Sequence, residues 1–217
     1  LSNGYESVFD SANFFLHKDG KKNPQKELEA DIAEFFNEKP LPFKNIFNQE
    51  QTAQCAFKGR YEWLKKKLKF DSSKLPSQSC SSFEEWYQDI KPKSATLIFA
   101  ASYLNNPASM FGHTFLLINK DEKKQYLLSQ ALNYSAETAE TNGIIFAYKG
   151  IFGLYDGKFS ILQYHKMIKK YNNTENRDLW EYDLNLDAEQ LRSIMTNLWE
   201  INNNSANYYF FSENCSY

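Results

Sequence analysis

Two largely apolar runs of strand length, His113–Ile118 and Gln125–Asn133, flank the polar, charged stretch Asn119-Lys120-Asp121-Glu122-Lys123-Lys124. This is the feature that most constrains the fold, because a charged turn between such runs predicts an antiparallel hairpin. Ala95–Ala101, Phe159–Met167, Leu179–Leu186 and a short Tyr208–Phe211 segment read as further strands. Asp187 is placed to cap a helix carrying Leu191, Ile194, Met195 and Leu198. Strands and helices do not alternate regularly here. The expectation is therefore an α+β fold with an antiparallel sheet, and not a doubly wound parallel one.

The chain before Lys91-Pro92-Lys93-Ser94 has a different pattern, and reads as helical. Asn23 followed by Pro24 is a helix start. Leu28, Ile32, Phe35 and Phe36 then fall on one apolar stripe, and Pro40 is expected to end that helix. A second helix is expected near Phe57–Leu68, with Tyr61, Leu64 and Leu68 on one side. Ser82 and Glu85 form a capping-box pair opening a third, which carries Phe83, Trp86, Tyr87 and Ile90. The organisation expected is a helical cap over residues 1–92 and a catalytic core over 93–217, or the two as one integrated domain.

Composition removes several classes of function. A net charge of −2 with no basic stripe argues against a nucleic-acid partner. The short run Lys65-Lys66-Lys67 reads as a solvated helix face. No apolar stretch approaches the roughly 18–20 residues of a membrane helix. The chain opens on Leu1, as a processed or trimmed form would. His17, His113 and His165 are far apart, and neither Cys-x-x-Cys nor His-Glu-x-x-His occurs, so no metal and no cofactor is expected. Gly-x-Ser-x-Gly is absent as well. The carboxylate pairs Glu84-Glu85 and Glu27/Glu29 lie on expected helix faces, where solvation is their ordinary state.

What remains for chemistry is cysteine and histidine. Asn106-Pro107-Ala108-Ser109-Met110-Phe111-Gly112 is a loop of small and turn residues that delivers His113 to the start of a strand. Gly112 allows another group to approach closely, and His113 is placed as a general base. Cys215 stands in Glu213-Asn214-Cys215-Ser216, just after an aromatic strand. A helix beginning there would favour the thiolate and supply N–H groups to an oxyanion. Such a thiolate attacks an acyl carbon while a nearby histidine takes the proton. Each residue also has a plain structural reading, His113 as a core histidine satisfied by backbone and Cys215 as a buried thiol. The hairpin turn centres near residue 122, which pairs position 113 near 131. Ser129, Gln130 and Asn133 are therefore candidates to orient the imidazole, with Asn133 preferred because its amide can fix the tautomer.

Three cysteines allow one pair and one remaining thiol. Cys55 and Cys80 flank a helix and a Pro/Ser loop, and a disulfide between them would imply an oxidising compartment. Two buried thiols in a reducing one is the other reading.

Several segments together resemble the N-terminal periplasmic domain of the Lnb family, a group named for lipoprotein N-acylation. They are Phe14-Phe15-Leu16, Asp19-Gly20, Pro24, Glu27-Leu28, Cys55-Ala56-Phe57-Lys58-Gly59-Arg60-Tyr61, Cys80, Pro107 to Phe115, Ala131-Leu132-Asn133-Tyr134 and Asn214-Cys215-Ser216-Tyr217. Lys58 departs from the proline expected there. That family is similar to circularly permuted papain-like (NlpC-like) enzymes, in which His precedes Cys along the chain, as His113 precedes Cys215. The resemblance implies a permuted papain-like antiparallel sheet with helices behind an N-terminal helical cap. It implies a catalytic dyad of Cys215 and His113, beside which Asn133 is expected as the third, orienting residue or as a plain strand-end asparagine, and Ser109, Met110, Gly112 and Asn214 are the candidate binding residues. It implies an exported, periplasmic location, hence the Cys55–Cys80 bond, and an apolar helix following Asn-Cys-Ser. The activity implied is acyl transfer through a Cys thioester, from a phospholipid acyl donor to a lipoprotein N-terminus at a membrane surface. A cysteine amidase or peptidase acting on cell-wall peptide would use the same dyad.

Overall fold

The structure, a computed structural model, describes residues 6–103, 112–120, 127–136, 138, 140, 142–202 and 204–215. Its helices are α1 (Pro24–Phe35), α2 (Ala53–Ala56), α3 (Lys58–Leu68), α4 (Ser81–Ile90), α5 (Gly143–Ile151), α6 (Tyr164–Ile168) and α7 (Ala188–Ile201). Its strands are β1 (Ser94–Ala100), β2 (His113–Asn119), β3 (Gln130–Ala136), β4 (Tyr155–Gln163), β5 (Leu179–Leu184) and β6 (Ser205–Tyr208). They form one six-stranded sheet in the order β5-β1-β2-β3-β4-β6. The pairs β1–β2, β1–β5, β2–β3 and β3–β4 are antiparallel, giving the α+β class. The chain divides into two compact units, Leu1–Gln88 with Arg192–Ala206, and Asp89–Leu191 with Asn207–Tyr217.

The first unit is held by a buried charge cluster that replaces the apolar stripe expected on α1. The face of α1 that is buried carries Glu27, Asp31 and Phe35, while Leu28 and Phe36 are exposed. Periodicity recorded where the apolar side chains fall, but Arg60 on α3 turns the helix so that its acids face inward. The Arg60 guanidinium donates to Glu27 at 2.8 Å, to Asp31 at 2.8 Å and to Glu200 at 3.0 Å, and also to the Phe14 carbonyl at 3.0 Å. Glu27, expected to be solvated, is thus buried, and it also accepts from the Leu16 and His17 N–H groups. α1 ends at Phe35, short of Pro40. Asn23 caps its start by accepting from the Lys26 N–H at 3.1 Å. α4 begins at Ser81, and Ser82 donates instead to Gln49 at 2.6 Å. Leu68 is exposed, as are Lys65, Lys66 and Lys67.

Cys55 and Cys80 are joined by a disulfide, their Cα atoms 5.2 Å apart. The buried Trp199 Nε1 donates to the Cys55 carbonyl at 2.8 Å and fixes α7 beside it. Closing a loop of this size contributes roughly 3 kcal/mol in the chain-entropy account. The Cys55→Ala, Cys80→Ala double variant should therefore unfold at a markedly lower urea midpoint than the oxidised protein. An unchanged midpoint would mean that the bond constrains nothing.

In the second unit the sheet face bearing Ile98, Ala100, Phe115, Leu117 and Ala131 packs against Tyr164, Met167 and Tyr171. Several strand limits differ from expectation. β3 starts at Gln130, with Leu127 and Leu128 exposed before it. β4 ends at Gln163, where Tyr164 opens α6 and donates its N–H to the Ser129 carbonyl. The last strand comes earlier than expected, at Ser205–Tyr208. α7 starts as the sequence requires. Asp187 accepts from the Gln190 N–H at 2.8 Å, and Gln190 returns the bond at 2.9 Å.

Candidate active site

His113 is the first residue of β2 and faces Ala100 of β1. Gly112, just before it, has φ +92°, and a Cβ there would lie 2.6 Å from the Phe99 ring. Only glycine brings the chain into the strand at this point. The β2–β3 register places Leu116 opposite Leu132, Leu117 opposite Ala131 and Ile118 opposite Gln130. Continued to the strand ends, it puts Ser135 opposite His113 and Asn133 opposite Phe115. The turn therefore centres two residues later than the sequence reading placed it. Gln130 and Ser129 are both drawn away, to Ile118 and Tyr164 respectively.

Asn133 stays on the His113 face and hydrogen-bonds it, Nε2 to Oδ1. The Asn133 amide is held in one orientation, since its Nδ2 donates to Ser135 Oγ at 3.2 Å and to Ser160 Oγ at 3.4 Å. Its oxygen therefore points to the imidazole and accepts from Nε2–H. This fixes the tautomer with the lone pair on Nδ1 and leaves that nitrogen as the ring's acceptor.

Tyr171 stacks near the imidazole, ring centroids 5.7 Å apart, and also lies on Phe115. The Arg177 guanidinium sits 4.8 Å from the Tyr171 ring. It donates to the carbonyls of Ala100 at 3.0 Å and Ala101 at 2.5 Å, and to Glu175 at 2.9 Å. Arg177 thus ties the end of β1 beside His113. Burial pushes the Tyr171 phenol up against the pull of Arg177, and Glu175 and Cys215 add to the rise. Tyr171 is therefore within electrostatic reach of both loci.

Cys215 is half-buried in a turn beyond β6. Tyr208 lies within electrostatic reach of it. Burial raises the Tyr208 phenol first, and the charge of Cys215 raises it further. Asn214 braces the turn by donating Nδ2 to the Phe210 carbonyl at 3.0 Å. Ser109 and Met110 lie outside the described residues. Among the described residues no group of three or more His, Cys, Asp or Glu is arranged to hold a metal ion.

A family model described as the Lnb N-terminal periplasmic domain matches residues 82–217, a span that includes His113, Asn133 and Cys215. The chain belongs to this family. As an Lnb N-terminal periplasmic domain it is a protein of the bacterial envelope. A second model, a domain of unknown function (DUF7843), matches residues 1–67. No curated protein and no solved structure matches the chain.

The sequence reading passed over Tyr171, Tyr208, Ser135 and Ser160. Ser135 had a signal, since it stands two residues from Asn133 and shares its face in a strand. The tyrosines had none, being two of 14 in an aromatic-rich chain.

Proposed function

We propose that this Lnb domain is a thiol-dependent acyltransferase of the permuted papain-like type, with its N-terminal helices as a cap. Cys215 is the nucleophile, His113 the base and Asn133 the residue that orients it. The His113 Nδ1 takes the thiol proton, and the thiolate attacks the ester carbon of a phospholipid. The carbon–oxygen bond breaks, and the lysophospholipid oxygen leaves with the proton returned by His113. This yields a Cys215 thioester. The deprotonated α-amine of a lipoprotein's N-terminal cysteine then attacks the thioester, His113 accepts the amine proton, and an amide and the Cys215 thiol result. Water must be kept from the thioester between the two halves.

The observation that carries this reading is the Asn133–His113 hydrogen bond. It leaves Nδ1 as the basic nitrogen, in the same compact unit as Cys215. Family membership supports it, and so does the chain order, with His113 opening a strand of the antiparallel sheet and Cys215 following the last strand. The experiment supplies phosphatidylethanolamine vesicles and a peptide bearing an S-diacylglyceryl N-terminal cysteine. The expected products are N-acyl peptide and lysophospholipid in equal amounts. Release of free fatty acid with no N-acyl peptide, or cleavage of cell-wall peptide fragments instead, would contradict transfer and favour a hydrolase.

A further inference from the structure

α5 is the most apolar helix of the second unit, and it turns that character outward. Ile144, Ile145, Tyr148, Ile151, Phe152 and Leu154 are 43–84% exposed. Ile144, Tyr148, Ile151 and Phe152 fall at i, i+4, i+7 and i+8, which is one face. The opposite side anchors the helix. Phe146 packs on Phe210, ring centroids 5.0 Å apart. Gly150 sits so close to the Phe210 ring that a Cβ would lie 2.3 Å from it. The Phe210 N–H donates to the Gly150 carbonyl at 2.9 Å. Phe210 begins the short segment that ends in Cys215, so the helix and the thiol share a support.

The sheet register places the two at one end of the fold. Ala100 faces His113, and Ser135 faces Lys158. With Ser135 opposite His113, these four form a row across β1, β2, β3 and β4. Tyr155 opens β4 three residues before Lys158, immediately after α5 and its turn. α5 therefore leads into β4 at the end of the sheet that carries His113.

Charge follows the same pattern. The chain as a whole is acidic by two, yet residues 142–174 hold five lysines against Asp156 alone. Lys158 lies in the His113 row, and Lys170 Nζ sits 5.0 Å from the Tyr171 ring. Lys149 is on α5 itself, paired with Glu140 at 3.1 Å.

We infer that the α5 face is a membrane-docking surface, which lies in the headgroup region of an anionic phospholipid bilayer bordering the periplasm. An amphipathic element with isoleucine, phenylalanine and tyrosine on one side, in a segment of the chain rich in lysine, binds in this way. An exposed apolar patch of this kind marks an interaction face. Among the described residues no helix is long and apolar enough to cross a membrane, so contact through α5 is lateral. The inference rests on the acyl-transfer reading for its purpose, which is to bring Cys215 to the leaflet holding the acyl donor.

The test is flotation of the 217-residue chain with vesicles of phosphatidylethanolamine and phosphatidylglycerol, beside vesicles of phosphatidylcholine alone. The chain should float with the anionic vesicles and bind the neutral ones more weakly. Ile144→Ser with Ile151→Ser should lower the bound fraction roughly tenfold or more, with an unchanged thermal transition. Acylation of Cys215 by a monomeric short-chain phospholipid should be the same in this variant as in the parent. Vesicle binding equal to the parent's would overturn the inference. So would a parent that stays unbound, or a parent that sediments as a dimer and becomes monomeric in the variant. Vesicle binding through α5 without acylation by the monomeric donor would uphold the docking face and count against the acyl-transfer reading.

Discussion

Arg60→Ala is expected to lower the stability of the first unit by about 3–5 kcal/mol, because it strands buried carboxylates that share one cation. Glu27, Asp31 and Glu200 all bond Arg60. Glu200 also accepts from the Arg60 N–H at 2.9 Å. One guanidinium cannot neutralise three carboxylates, and burial raises two of the acids against its pull. Glu27 also accepts from the Leu16 and His17 N–H groups. Among the described residues Asp31 bonds the guanidinium alone, and burial pushes it up to about 7 against the pull of Arg60. Burial raises Glu200 too, again against Arg60. A raised acid contributes stability that is fully present below its unfolded value and is lost as pH rises through its folded value. Stability should therefore fall between about pH 4 and pH 7, opposite to ordinary acid denaturation. Asp31→Asn keeps an acceptor for Arg60 without the charge, and should remove much of that slope. Urea unfolding from pH 5 to pH 8 reads both variants. An Arg60→Ala midpoint close to the parent's would mean that the cluster does not hold α1, α3 and α7 together.

Cys215→Ala should abolish acyl transfer while leaving the fold intact, since no other residue in the proposed mechanism can carry the thioester. His113→Ala should cost roughly 10²–10⁴-fold, the usual contribution of a positioned base. Asn133→Ala should cost less, because Asn133 orients the imidazole and does not touch the reacting atoms. Its loss should also alter the pH profile, as the ring is no longer held in the Nε2–H tautomer. His17 and His165 should be dispensable. His17 Nδ1 accepts from the Asp19 N–H in the first unit. If replacing His165 removed activity and replacing His113 did not, the base would have been misassigned.

Much of this was legible before any coordinates. The hairpin at 113–133 was written in two apolar runs and a charged turn, and it fixed the antiparallel character of the sheet. The turn centre was displaced by two residues, because Leu127 and Leu128 look like strand and are exposed. This moves the partner of His113 by four residues, from 131 to 135, and an even slip preserves the face, so Asn133 stays on the side of His113. A slip of one residue in the pairing would have sent it to the opposite face. The charged core of the first unit was not legible. Glu27 and Asp31 look like solvated helix acids until Arg60 and Glu200, distant in sequence, are brought to them. Helix periodicity sorts residues by polarity and carries no information on distant partners. α5 was missed for a related reason. Gly143, Gly150 and Gly153 break up its apolar pattern, and its cap, Asn142, has no capping-box partner.

The central claim is that Cys215 carries the acyl group, and intact-mass and peptide mass spectrometry after incubation with phospholipid tests it most directly. The account predicts a mass increase of one acyl chain on the peptide containing Cys215, released by hydroxylamine and absent from Cys215→Ala. An acyl group on another residue, or acyl transfer persisting in Cys215→Ala, would contradict it.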